Sequence, residues 1–172
     1  MNEEILFTET QRFRQVWLWV ILIAANLISI FGAFRQMSNG LPLLNPLTGG
    51  RLTTIVVLLL VTGLIFMIRM DTTIKSDGLY MRFYPFNLQM KRYSWHSISQ
   101  AFVRKYNPIL EYGGWGIRLG SFGNGAAFNI SGNKGIQLVF KNGDRALIGT
   151  QKPDEATIAL AQLKLYGGNI TV

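Results

Sequence analysis

Three groups of residues in this chain are of types that do chemistry. The first is His96, the only histidine, which follows Ser94-Trp95 and precedes Ser97. A histidine beside a serine and an acid is the arrangement of a general base and its nucleophile. The acids do not complete it. Asp71, Asp77 and Asp144 fall at turn or cap positions, Asp154 and Glu155 open a helix, and Glu111 stands alone. One histidine with no cysteine cannot build a usual transition-metal site. We therefore assign no catalytic residue, no metal and no cofactor, and His96 reads as a turn residue. The second group is Gly114–Gly120, GWGIRLG, one residue off the dinucleotide-binding pattern. A phosphate loop must feed a helix N-terminus, and this one runs into Ser-Phe-Gly-Asn-Gly. It reads as bends and close strand crossings. The third group is Lys91, Arg92, Tyr93 and Trp95 with Arg104, Lys105 and Tyr106. On adjacent strands these seven form one basic, aromatic-edged patch, suited to an anionic lipid headgroup or an acidic partner. The alternative is a solvated face whose long stems cover apolar surface.

These residues must be held by elements of two kinds. The chain is 49% hydrophobic and 15% charged, with mean hydropathy +0.23. Soluble domains carry about 25% charged residues, and the apolar excess sits in the first seventy positions. Residues 1–14, MNEEILFTETQRFR, read as a short cytoplasmic lead. They are no signal peptide, because acids come first and no small-residue cleavage site follows. Gln15–Phe34 is a run of 20 residues without a charge. At about 1.5 Å per residue it crosses the roughly 30 Å hydrocarbon layer. Trp17 and Trp19 stand at its start, where interfacial tryptophan is favoured. Asn26, Ser29 and Gly32 share a face, either as a helix–helix contact or as scattered tolerated residues.

Asn39-Gly40, Pro42, Asn45-Pro46 and Gly49-Gly50 break the next stretch, and Leu41, Leu43, Leu44 and Leu47 draw it to the membrane surface. Leu52–Ile68 is a second uncharged run, fenced by Arg51 and Arg69 and open to extension through Met70. Residues 15–70 thus form a transmembrane hairpin with spans over 15–34 and 52–69. Arg12, Arg14, Arg69, Lys75 and Arg82 flank its outer ends, against Arg35 and Arg51 at the loop. That bias puts both termini of this multi-pass chain in the cytoplasm.

Residues 71–172 change period and read as a soluble β domain. After Ile68 thirteen Lys and Arg face six Asp and Glu, so seven of the chain's eight net positive charges lie there. No basic run or nucleic-acid motif accompanies them, so the expected partner is an anionic bilayer surface and not nucleic acid. Thr72–Ser76, an Asp77-Gly78 turn and Leu79–Phe86 read as a strand hairpin. Lys91–Tyr93, Ile98–Tyr106, Trp115–Leu119 and Ala127–Ile130 are further strands. Gly135–Phe140 and Arg145–Ile148 flank Asn142-Gly143, which predicts a type I′ turn. Asn107-Pro108 ends a strand. Pro153-Asp154-Glu155 opens a helix that stops at Gly167-Gly168. Its Ala156, Ala159, Leu160 and Leu163 face a sheet, while Ile158, Ala161 and Leu165 face away. The fold class is α+β: two transmembrane helices, then an antiparallel sheet or open barrel of seven or eight strands with a C-terminal helix.

GGWGIR (Gly113–Arg118), NISGNKGIQLVF (Asn129–Phe140) and GDRALIGTQKPDEA (Gly143–Ala156) carry a resemblance. The chain is similar there to bacterial membrane proteins with an N-terminal two-helix hairpin and a C-terminal pleckstrin-homology-like (PH-like) domain. The resemblance covers residues 72–166. It implies that fold and a membrane location, and it supplies no activity or catalytic residues. The expected function is a non-enzymatic, membrane-tethered module that binds lipid headgroups, other membrane proteins or, through the hairpin, itself. The alternative is an enzyme or accessory subunit acting in lipid or envelope metabolism.

Overall fold

The computed structural model describes residues 4–40, 49–120 and 124–165. The chain divides into two compact units, residues 13–67 and residues 1–12 with 68–172.

The first unit is a pair of helices, α1 (Val16–Ser38) and α2 (Gly49–Met67). Both are long and apolar enough to cross a membrane, with mean hydropathies of 2.2 and 2.1. α1 continues one turn past Phe34, because Arg35, Gln36 and Met37 all favour helix and only Asn39-Gly40 stops it. The helices are antiparallel: Trp19 meets the edge of Phe66, Asn26 Nδ2 donates to Thr62 Oγ1 at 3.0 Å, and an Arg51 N–H donates to Gly32 O at 2.6 Å. Asn26 and Gly32 of the expected stripe therefore do face the partner helix, with half-buried Ser29 between them. The leucine-rich loop expected at the membrane surface lies outside the described residues.

The second unit holds two sheets. Strands β1 (Ile5–Arg12), β2 (Arg69–Lys75), β3 (Gly78–Tyr84) and β4 (Lys91–Ser94) form an antiparallel sheet in that order. Strands β5 (Ile98–Lys105), β6 (Gly116–Leu119), β7 (Ala126–Asn129), β8 (Lys134–Phe140) and β9 (Arg145–Gly149) form the other, ordered β5-β8-β9-β7-β6. A short helix α3 (Pro108–Tyr112) precedes β6, and α4 (Pro153–Leu165) closes the fold. Met70, Ile74, Leu79, Met81 and Phe83 from the first sheet are buried, as are Ile98, Ile136, Leu138 and Ile148 from the second. Each contributes about 1.5–3 kcal/mol. α4 packs on β1, β5 and β8 through Ala156, Ala159, Leu160 and Leu163, the face its sequence indicates. Ile158 points outward.

Several expectations need correction. Residues 5–12 are no lead but the edge strand β1, paired along its length with β2 from Ile5↔Lys75 to Arg12↔Arg69. Their alternation is disguised because two of the three inward residues, Glu9 and Gln11, are polar. The second span does not reach Met70. α2 ends at Met67 and Met70 is fully buried in β2, so it is apolar for the protein core and not for lipid. The first β hairpin turns at Ser76-Asp77, one residue early, since Lys75 pairs with Gly78. Asn142-Gly143 is not a type I′ turn. Gly143 N donates to Phe140 O, Phe140 N donates to Asp144 O, and Gly143 has φ 90°. This is the three-residue loop with a left-handed glycine at its end. Asn107-Pro108 also begins α3: the Asn107 side chain accepts from the Ile109 and Leu110 N–H groups, with Pro108 in the first helical turn. Finally, the second sheet is mixed. β7 pairs parallel with β9, because the chain crosses the end of β9 before entering β8.

Candidate interaction surface

The seven patch residues do not converge. Lys91, Arg92 and Tyr93 sit on β4, an edge of the first sheet; Arg104 and Lys105 end β5, an edge of the second. Tyr93 lies 5.7 Å from the Phe140 ring, and Phe140 is opposite Ile98 at one end of the β5–β8 ladder. Lys105 is opposite Lys134 at the other end. Six residue steps at about 3.3 Å separate the two groups by about 20 Å.

Most of the seven are also engaged in holding the fold. Trp95 is buried and donates its indole N–H to Lys75 O at 2.8 Å. Arg92 pairs with Asp77 at 2.8 Å. Arg104 donates to Gln137 Oε1 and to Glu111 Oε2, at 3.0 and 2.7 Å. Burial alone would lower the Arg104 pKa, but the bond and charge of Glu111 outweigh it and raise it. The Arg104 bond holds the Glu111 carboxyl below its usual range against a smaller opposing effect of burial. Glu111 also accepts from Asn107 N, so Arg104 clamps the start of α3. Tyr106 is buried, which pushes its phenol upward, and its hydroxyl accepts from Asn129 Nδ2 at 2.9 Å. Asn129, fully buried, uses its Oδ1 to accept from Gly116 N. Sequence reading missed this residue, because nothing in its spacing marks it as the tie between β6, β7 and the β5 end.

Two clefts flank these clusters. One, of about 650 Å³, is lined by Lys91, Tyr93, Phe128, Phe140, Asp144 and Arg145 among others. The smaller, about 400 Å³, lies over Lys105, Tyr106 and Glu111. The first sets two bases and three aromatic rings beside one acid, and the second one base, one ring and one acid. The Lys91 ammonium lies 5.1 Å from the Tyr93 ring centre, a cation–π distance. Uncovered apolar residues are Ile109 and Leu110 on α3, Ile117 and Leu119 on the edge strand β6, where Leu119 also lines the larger cleft, and Phe86, Leu88 and Met90 between β3 and β4.

The glycine-rich loop forms no cradle at a helix end. It leads into β6, and Gly120 N donates to Gly125 O at 2.6 Å. Gly125 has φ 74°, and a Cβ there would run into the Arg145 carbonyl, so glycine is required by backbone approach. His96 lies exposed in a one-turn 3-10 helix. Among the described residues no group of three His, Asp or Glu is placed to hold a metal ion.

The sequence matches no model of a known protein family, and no curated protein matches it.

Proposed function

We propose that this chain is an integral protein of the bacterial inner membrane, which holds a PH-like domain on the cytoplasmic face as a protein- or lipid-interaction module. One observation carries the reading. Two apolar helices, in whose most apolar stretches 11% and 0% of the residues are buried, are interposed between strands that pair with each other. In water that much exposed Leu, Ile, Val and Phe is untenable, whereas in lipid it is the ordinary surface of a span. The pairing of β1 with β2 then ties the domain to both ends of the hairpin.

The PH-like reading is supported by the order of elements. β1–β4 form one antiparallel meander, β5-β8-β9 a second, and α4 packs against both. The helix pair is interposed between β1 and β2, and the segment from α3 to β7 between β5 and β8. The module reading is supported by the surface: bases beside aromatic rings in two open clefts, and apolar residues left uncovered on an edge strand. Edge strands with exposed apolar side chains suit strand addition by a partner.

Membrane pellets from cells producing the full chain test the location. The protein is expected to stay in the pellet through alkaline carbonate washing and to leave it only in detergent. Release by carbonate alone would overturn the reading.

A further inference from the structure

We infer that the loop between β3 and β4, Pro85–Met90, is a wedge that enters the interfacial layer of the bilayer; the inference rests on the membrane reading above. Three observations meet at this loop. First, Phe86, Leu88 and Met90 are 59%, 71% and 43% exposed, a density of uncovered apolar side chains that a soluble loop does not carry. The loop is nonetheless built and not frayed. Asn87 N donates to Phe83 O at 2.8 Å, and Phe86 packs against Phe83 with ring centres 6.1 Å apart.

Second, the loop leaves the correct end of the sheet. The register aligns Arg12 with Arg69, and Arg69 with Tyr84. Arg12 is the last residue of β1 before the chain departs for α1, and only Ile68 separates the end of α2 at Met67 from the start of β2 at Arg69. Tyr84 therefore ends β3 at the sheet end from which the chain passes to the helices. Leu88 follows four residues further on, in the loop at that same end of the sheet. If the helices span, the chain re-enters the sheet at that end from the bilayer interface.

Third, the flanks carry the charges that anionic headgroups attract. Arg12 and Lys91 are exposed, and the Arg69 guanidinium lies over the Tyr84 ring at 5.3 Å. Aromatic and aliphatic tips framed by bases are the composition of interfacial segments. The bilayer is the occupant to which this placement points.

The test uses the full chain in nanodiscs of phosphatidylethanolamine and phosphatidylglycerol. The chain lacks cysteine, so Leu88→Cys, Leu60→Cys and Asn142→Cys each give one labelling site for an environment-sensitive dye. Leu60 lies on the exposed side of α2, and Asn142 lies at the exposed β8–β9 turn. Nitroxide carried on shallow acyl positions is expected to quench the Leu88→Cys dye several-fold more than the Asn142→Cys dye. Deep nitroxides are expected to quench the Leu60→Cys dye. Quenching at Leu60→Cys with none above the Asn142→Cys level at Leu88→Cys overturns the wedge alone. No quenching at Leu60→Cys overturns the membrane reading and the wedge with it. Each substitution replaces an exposed side chain, so folding is expected to survive.

Discussion

Joining Arg12 to Arg69 through a short turn of Gly and Asn, in place of residues 13–68, is expected to yield a water-soluble domain that unfolds cooperatively. Residues 69–172 alone are expected to aggregate. The two strand ends are already antiparallel partners, so a short loop closes them without strain. What β1 supplies is large. Phe7 is buried against the core, worth about 2 kcal/mol. Glu9 accepts from Thr150 Oγ1 at 2.7 Å and from Gln151 N at 2.8 Å, and Gln11 donates to Gly149 O at 2.7 Å. Bonds to a charged group are worth about 1.5–3 kcal/mol each. With the ladder to β2 included, the loss rivals the roughly 5–15 kcal/mol that holds a whole domain. It also bares a long edge on β2. Circular dichroism melting and size-exclusion chromatography of the two proteins check this. Equal folding of residues 69–172 would show that β1 is dispensable.

Asp71→Asn is expected to cost roughly 1–3 kcal/mol, the range for charged hydrogen bonds lost from a part-buried site. Asp71 is a buried carboxylate on β2 that receives Arg82 at 2.6 and 3.0 Å and the Thr10 hydroxyl at 2.8 Å, with Arg69 at 3.5 Å. Burial pushes its pKa upward, but the Arg82 and Thr10 bonds and the charges of Arg82 and Arg69 outweigh this and hold it below the ordinary value. The sign for stability follows. The folded state keeps its proton off more readily than the unfolded state, so the stabilisation is full above about pH 4 and fades as pH falls through the folded pKa. Urea midpoints of the shortened domain should drop in that acid window, and Asp71→Asn should flatten the drop. The double change Asp71→Asn with Arg82→Met should recover part of the loss, because the half-buried Arg82 guanidinium is no longer left without its carboxylate. A single substitution with an unchanged midpoint would contradict the assignment.

The helices and α4 were legible because their signals are local. An uncharged run between arginines defines a span by itself, and the faces of α4 repeat at helical spacing. β1 was hidden for an equally physical reason. Its inward residues include Glu9 and Gln11, whose partners lie more than a hundred residues away at Gly149–Gln151. The alternation in ILFTETQR is sound, but hydrophobicity cannot show it. The basic patch failed differently. Residue types near Lys91 and Arg104 were correct, yet strand adjacency depends on pairing: β4 belongs with β3 and β5 with β8. The Asn-Gly dipeptide marked its hairpin but not its turn type, because the register Val139↔Arg145 admits a longer loop. Asn107-Pro108 looked only like a strand end, although Asn before Pro is equally the start of a helix.

The central claim is that the hairpin crosses the membrane and leaves the β domain on the cytoplasmic side. Ser38, at the end of α1, and Ser76, in the β2–β3 turn, are both exposed in a chain without cysteine. In intact bacterial cells, a membrane-impermeant maleimide is expected to label Ser38→Cys and to spare Ser76→Cys until the cells are permeabilised. Labelling of Ser76→Cys in intact cells, or equal protection of both positions until lysis, would contradict it.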